Sequence, residues 1–186
     1  MFFDRRRFLA GSLALIFGAF FRPRRVQAAS AAFGTALGSF NGVVAYSNSG
    51  DPYKTLKYVN GYCTGYEYEC VEFAARYYFV VYGMRVAGGY AKTWFGSAGT
   101  KGLRPYSNGG TTKPAVGDIF AASYSNGHVA ICREVGANYV ILIMQNWNNN
   151  STDCSMRLNM TVTNGKYSVQ AAGASGLYVW QGWLRK

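Results

Sequence analysis

Tyr68-Glu69-Cys70-Val71-Glu72-Phe73-Ala74-Ala75-Arg76-Tyr77-Tyr78 decides how this chain is read. Cys70, Phe73, Ala74, Tyr77, Tyr78 and Val81 recur at i, i+3, i+4, i+7, i+8 and i+11, the spacing of one helix face. Gly65 precedes the run and Gly83 follows it, and a glycine suits a helix end. The spacing therefore predicts an amphipathic helix with a cysteine in its first turn. The N–H groups of that turn have no partner inside the helix and carry partial positive charge. Both properties favour a thiolate, the reactive form of cysteine. The single histidine, His128, stands far away in Asn126-Gly127-His128-Val129-Ala130-Ile131. A cysteine at a helix start with a histidine on a distant strand is the arrangement of a cysteine hydrolase. The plainer reading is a buried inert thiol and a structural histidine, which are the commoner uses of both residues.

Beyond the helix the chain reads as β-structure. Strands are expected over 119–123, 128–133, 139–144, 167–170 and 177–184. Turns fall at Ser125-Asn126-Gly127 and Val135-Gly136-Ala137-Asn138. One helix packed on an antiparallel sheet is an α+β layout. Residues 29–45 read as a flexible N-terminal segment, small and polar in composition. Residues 60–68 read as a Gly/Tyr-rich loop that forms a groove wall, with Tyr68 as a substrate contact. Residues 96–112 read as a long loop flanking the cleft, and 146–150 as an exposed loop in which Trp147 stacks on substrate or covers the site.

These blocks resemble a known family. Cys70-Val71-Glu72-Phe73 with Arg76-Tyr77-Tyr78 is similar to the nucleophile helix of CHAP domains, the cysteine- and histidine-dependent amidohydrolases and peptidases. Four more blocks follow in the family's order. They are Gly89-Tyr90-Ala91-Lys92-Thr93-Trp94-Phe95, then Pro114-Ala115-Val116-Gly117-Asp118-Ile119 leading to Gly127-His128-Val129-Ala130-Ile131, then Gln145-Asn146-Trp147, and the closing Tyr178 to Leu184. The Cys-Val-Glu-Phe variant looks nearest to the amidase half of glutathionylspermidine synthetase/amidase and to small exported CHAP proteins. The resemblance covers 46–186 and implies a papain-like fold, with Cys70 as nucleophile, His128 as proton carrier and a third polar group orienting the imidazole. It also implies an oxyanion site built partly from backbone N–H groups at the helix start. Two positions depart from the family. Met144 stands where a Glu-x-Asn ending usually has its Glu, and Glu69 stands where a Gln is common before the nucleophile. Side chains two apart on a strand share a face, so Asn146 is assigned the orienting role and Gln145 is expected to face away.

The 186 residues suffice for one domain with a proper core. Residues 1–28 read as an export signal: Arg5-Arg6-Arg7, an apolar run from Phe8 to Phe21, and Val26-Gln27-Ala28 before cleavage. Arg5-Arg6-Arg7-Phe8-Leu9 also resembles a twin-arginine motif. The apolar run is broken by Gly11, Ser12 and Gly18 and is short for a membrane span. A periplasmic or extracellular protein without stable membrane insertion is expected, and a monomer. Six arginines and Asp4 lie in this leader. They account for five of the net +11, and the remainder carries 13 basic and 7 acidic residues, or +6. A basic exported protein suits an anionic wall polymer, and no basic-aromatic motif points to nucleic acid. Peptidoglycan or another peptide amide is the expected substrate. A small amide such as a glutathione–polyamine conjugate and a wall-binding module with little turnover are the alternatives. No cofactor is expected, and with no C-x-x-C or H-x-x-x-H spacing, no metal. With Cys70 as nucleophile, one disulfide among Cys63, Cys132 and Cys154 plus one free thiol is expected, the pairing being open.

Overall fold

The computed structural model describes residues 30–49, 54–147, 153–173 and 176–186. The segment read above as an export signal, residues 1–28, lies outside the described residues, as do Asn148 to Asn150. Eleven strands and one α-helix make up the described chain, with two short 3₁₀ turns at Ala91–Thr93 and Ala98–Lys101. The chain opens with two hairpins. The first joins β1 (Ala36–Phe40) to β2 (Val43–Tyr46), and the second joins β3 (Leu56–Val59) to β4 (Tyr62–Tyr66). Then come α1 (Cys70–Tyr82), β5 (Arg104–Ser107), β6 (Ile119–Ala122), β7 (His128–Val135), β8 (Tyr139–Ile143), β9 (Ser155–Thr163), β10 (Lys166–Val169) and β11 (Trp180–Arg185). The last seven strands form one sheet in the order β10-β9-β8-β7-β6-β11-β5, antiparallel throughout. The α+β layout expected from the sequence holds.

α1 starts and stops where its sequence says. Gly83 takes a left-handed conformation (φ 69°, ψ 10°), and its N–H reaches Phe79 O while Met84 N–H reaches Tyr78 O. This closes the helix by pairing carbonyls that would otherwise be orphaned. Phe73, Ala74, Tyr77 and Tyr78 are buried against Ile119, Ala121, Val129, Ile131, Ile143 and Leu184 on one face of the sheet. Burying each large side chain contributes about 1.5–3 kcal/mol, more than any propensity term in the helix. A second core lies on the other face, where Phe120, Ala130, Leu142, Met144, Trp180 and Trp183 gather. All four residues of β6 are therefore buried, two on each side.

Three Asn-Gly pairs make the tight hairpins: Asn41-Gly42, Asn60-Gly61 and Asn164-Gly165, each with positive φ at both residues. Such pairs fit the two-residue turn whose twist matches antiparallel strands. This corrects the reading of 29–45 as flexible. In β2, Val43 and Ala45 are buried in the helix-side core. Phe40 stacks on Tyr77 at 5.5 Å, and Asn41 Nδ2 donates to Tyr77 Oη at 2.9 Å. The loops expected over 60–68 and 96–112 likewise contain β4 and β5, and β9 is a strand the sequence reading lacked.

Candidate active site

Glu69 is the N-cap residue of α1, yet its side chain makes no capping bond. Its carboxylate turns outward instead, accepting from Lys54 Nζ at 3.0 Å on one oxygen and from Asn146 Nδ2 at 2.7 Å on the other. The next residue, Cys70, is buried. Its sulfur is held among the backbone N–H groups of Val129, Val71 and Cys70 itself, all of which favour the thiolate. Burial outweighs them and, with the negative charge of Glu69, pushes the thiol up to about 11. The resting nucleophile is thus a neutral thiol: the helix start favours the thiolate, as expected, but burial and Glu69 outweigh it.

The contact with Val129 N–H places the sulfur beside β7 one residue beyond His128. Gly127 sets the approach of that strand. With φ 79° it passes so close to the first 3₁₀ turn that a Cβ would collide with Lys92 N, while Asn126 O accepts from Lys92 N–H at 3.0 Å. The imidazole of His128 is buried, with Trp147 edge-on at 4.8 Å and Tyr178 edge-on at 6.4 Å. Its Nε2 has no hydrogen-bond partner among the described residues. Burial pulls its basicity down to about 3, so the ring is neutral at ordinary pH. Cys70, His128, Asn146 and Trp147 all line one cleft of about 760 Å³, walled further by Leu56, Tyr66 and Tyr90.

Asn146 reaches this cleft by a route different from the one expected. β8 ends at Ile143, and Asn146 has φ 51°, a left-handed conformation asparagine tolerates. Strand alternation therefore stops before it. Met144 is buried in the second core while Asn146 turns toward the helix start. Its Oδ1 is buried without a partner, and no hydrogen bond joins it to His128. Gln145 does not face away as expected: with the strand ended, it too turns to the helix side. Its Nε2 donates to Glu69 O at 3.3 Å and to Glu72 Oε2 at 3.0 Å.

That contact opens a buried network which sequence reasoning missed. Arg76 Nε donates to Glu72 Oε1 at 2.6 Å, and Arg76 Nη2 to Glu72 Oε2 at 3.2 Å and Gln145 Oε1 at 2.9 Å. Thr64 Oγ1 donates to Glu72 at 3.0 Å, and Arg76 Nη1 to Val44 O at 2.8 Å. Helix, both hairpins and the segment after β8 are locked in one register by these charges. On the sequence Glu72 and Arg76 look like an exposed i,i+4 pair; nothing local reveals that β2 and β4 cover them.

Tyr68 is not on the cleft. It packs on Phe33 at 5.0 Å and Tyr46 at 4.7 Å, because β4 ends at Tyr66 and the chain turns there; Tyr66 lines the cleft in its place. Asp118, from the Pro-x-x-Gly-Asp block, is structural: it accepts from Ala115 N–H at 2.7 Å and Arg185 Nε at 2.7 Å. All four cysteines are free, which corrects the expected disulfide. Cys132 and Cys154 belong to cores on opposite faces of the sheet, and Cys63 sits in β4. Among the described residues no group of three His, Cys, Asp or Glu could hold a metal, and no helix is long and apolar enough to cross a membrane.

Fold and cleft together define an α+β protein with a cysteine and a histidine brought to one pocket at a helix start. Residues 58–146 match the family model of the CHAP domain, a family of amidases and peptidases. The matched stretch runs from β3 to Asn146 and includes Cys70 and His128. No curated protein matches the chain.

Proposed function

We propose that this protein is an exported cysteine amidohydrolase or peptidase with a papain-like site, acting on an amide bond of peptidoglycan. The observation that carries the reading is the shared cleft: Cys70 and His128 line it together, with the sulfur against the N–H of the residue following His128. Substrate entering the cleft displaces water and positions a carbonyl carbon near the sulfur. The thiol proton passes to Nδ1 of the neutral imidazole as sulfur bonds to carbon. N–H groups at the start of α1 hold the oxyanion. The C–N bond then breaks, His128 returns the proton to the departing amine, and a thioester remains on Cys70. Water adds with its proton going to His128, and the acid leaves as the thiol is restored. Asn146 is the third group, its Oδ1 accepting from Nε2–H.

Wall amides fit the open cleft with its aromatic rim of Tyr66 and Tyr90, the net charge of +6 outside the leader, and the export signal read in residues 1–28. A wall-binding module with little turnover is the second reading, favoured by the neutral resting pair and by Met144. Purified peptidoglycan incubated with the protein should release new amino groups, and Cys70→Ala should release none. Undiminished binding of peptidoglycan with no release by the unaltered protein would support the second reading instead.

A further inference from the structure

We propose that Glu69 is a positioning residue that fixes the amide of Asn146 with its oxygen presented to His128. The inference rests on the catalytic reading above. A carboxylate can only accept, so the group 2.7 Å from Glu69 Oε2 must be the Asn146 nitrogen. The flip ambiguity of a side-chain amide is thereby removed. The other carboxylate oxygen is occupied by Lys54 Nζ, and Gln145 Nε2 binds the carbonyl of the same Glu69. Main chain and side chain of one residue thus staple the 145–146 segment to the nucleophile helix.

What is left over is complementary. Asn146 Oδ1, an acceptor, and His128 Nε2, a donor in one tautomer, are both buried, both without partner, and both on residues lining one cleft. Two such orphans are costly unless they meet in the working state. Their meeting sets the Nε2–H tautomer and leaves the Nδ1 lone pair for the thiol. The amide could equally have flipped to aim its nitrogen at the ring; the carboxylate of Glu69 prevents that. The residue also explains why a helix N-cap carboxylate forgoes its usual bond to the first-turn N–H groups.

The sole histidine makes the test direct, since every imidazole signal belongs to His128. Nitrogen-15 NMR reads whether the two groups, unbonded in the structure, meet in solution: where they do, Nε2–H should be in excess by roughly tenfold, the worth of one hydrogen bond. Glu69→Leu removes both acceptor oxygens and should bring the tautomers toward a mixture, with kcat falling about tenfold. Glu69→Gln keeps one oxygen in reach and should retain the excess. Asn146→Leu removes the acceptor itself and should also bring the tautomers toward a mixture. An unchanged tautomer ratio in folded Glu69→Leu would overturn the proposal. So would a higher Nε2–H fraction there, which would mean that Glu69 holds Asn146 away from the ring. If Glu69→Leu does not fold, an unchanged tautomer ratio in Glu69→Ala overturns it instead. Because the readout needs no turnover, a protein with the expected tautomers and no hydrolysis would refute the catalytic reading and leave this one standing.

Discussion

Alkylation of Cys70 across pH tests the electrostatics of the site most sharply. A thiol at about 11 is ionised to about one part in ten thousand at pH 7, against about one in a hundred for the ordinary value of 9.0. Iodoacetamide should therefore modify Cys70 about a hundredfold more slowly in the folded protein than in the urea-unfolded chain. The folded rate should climb about tenfold per pH unit to beyond pH 10. Mass spectrometry of the peptide bearing Cys70, in a Cys63→Ser background to silence the half-buried thiol, gives the rate. Glu69→Gln removes the carboxylate that raises the thiol and should shift the midpoint down. A rate that plateaus below pH 8, or a midpoint indifferent to Glu69→Gln, would refute the reasoning that burial and Glu69 together hold the thiol neutral.

Other outcomes follow from the same structure. Arg76→Leu strands the buried Glu72 carboxylate and should cost about 3–5 kcal/mol, or about 6–20 °C in Tm for a chain of this size, while Glu72→Leu with Arg76→Leu should cost less; thermal unfolding by circular dichroism decides. The imidazole of His128 is depressed in the fold, so its contribution to stability is complete above its unfolded value of 6.5 and is lost as pH falls toward about 3. Urea unfolding at pH 4.5 against pH 7 should show a loss of about 2–3 kcal/mol that His128→Gln abolishes. Gly127→Ala, at φ 79° against the backbone of Lys92, should destabilise by at least about 2 kcal/mol and lower activity more than it lowers binding, read as kcat against KM.

The nucleophile helix was legible because its signals are local: a 3.6-residue apolar period and a glycine at the end. Strands β6, β7 and β8 were legible for a similar reason, being short apolar runs cut by Gly-containing turns. The two hairpins at the N-terminal side were not read, although Asn41-Gly42 and Asn60-Gly61 announce them; the small residues of β1 and the glycine in β4 hid the alternation that normally accompanies such turns. Placing Cys70 and His128 in one cleft was legible from the order of the blocks. Asn146 reached the cleft, but not by strand alternation, since φ 51° turns it out of the strand. Tyr68 was misplaced because β4 ends two residues before it. The Glu72–Arg76–Gln145 network had no local signal: its members are 4 and 69 residues apart from Arg76 and become neighbours only when the sheet closes over the helix.

The most direct measurement is the intact mass of the protein quenched in acid during turnover of a peptidoglycan fragment. The account predicts an added acyl mass that maps to Cys70, is absent in Cys70→Ala, and forms far more slowly in His128→Ala. Amide cleavage with no acyl mass on Cys70, or with undiminished rate in Cys70→Ala, would contradict it.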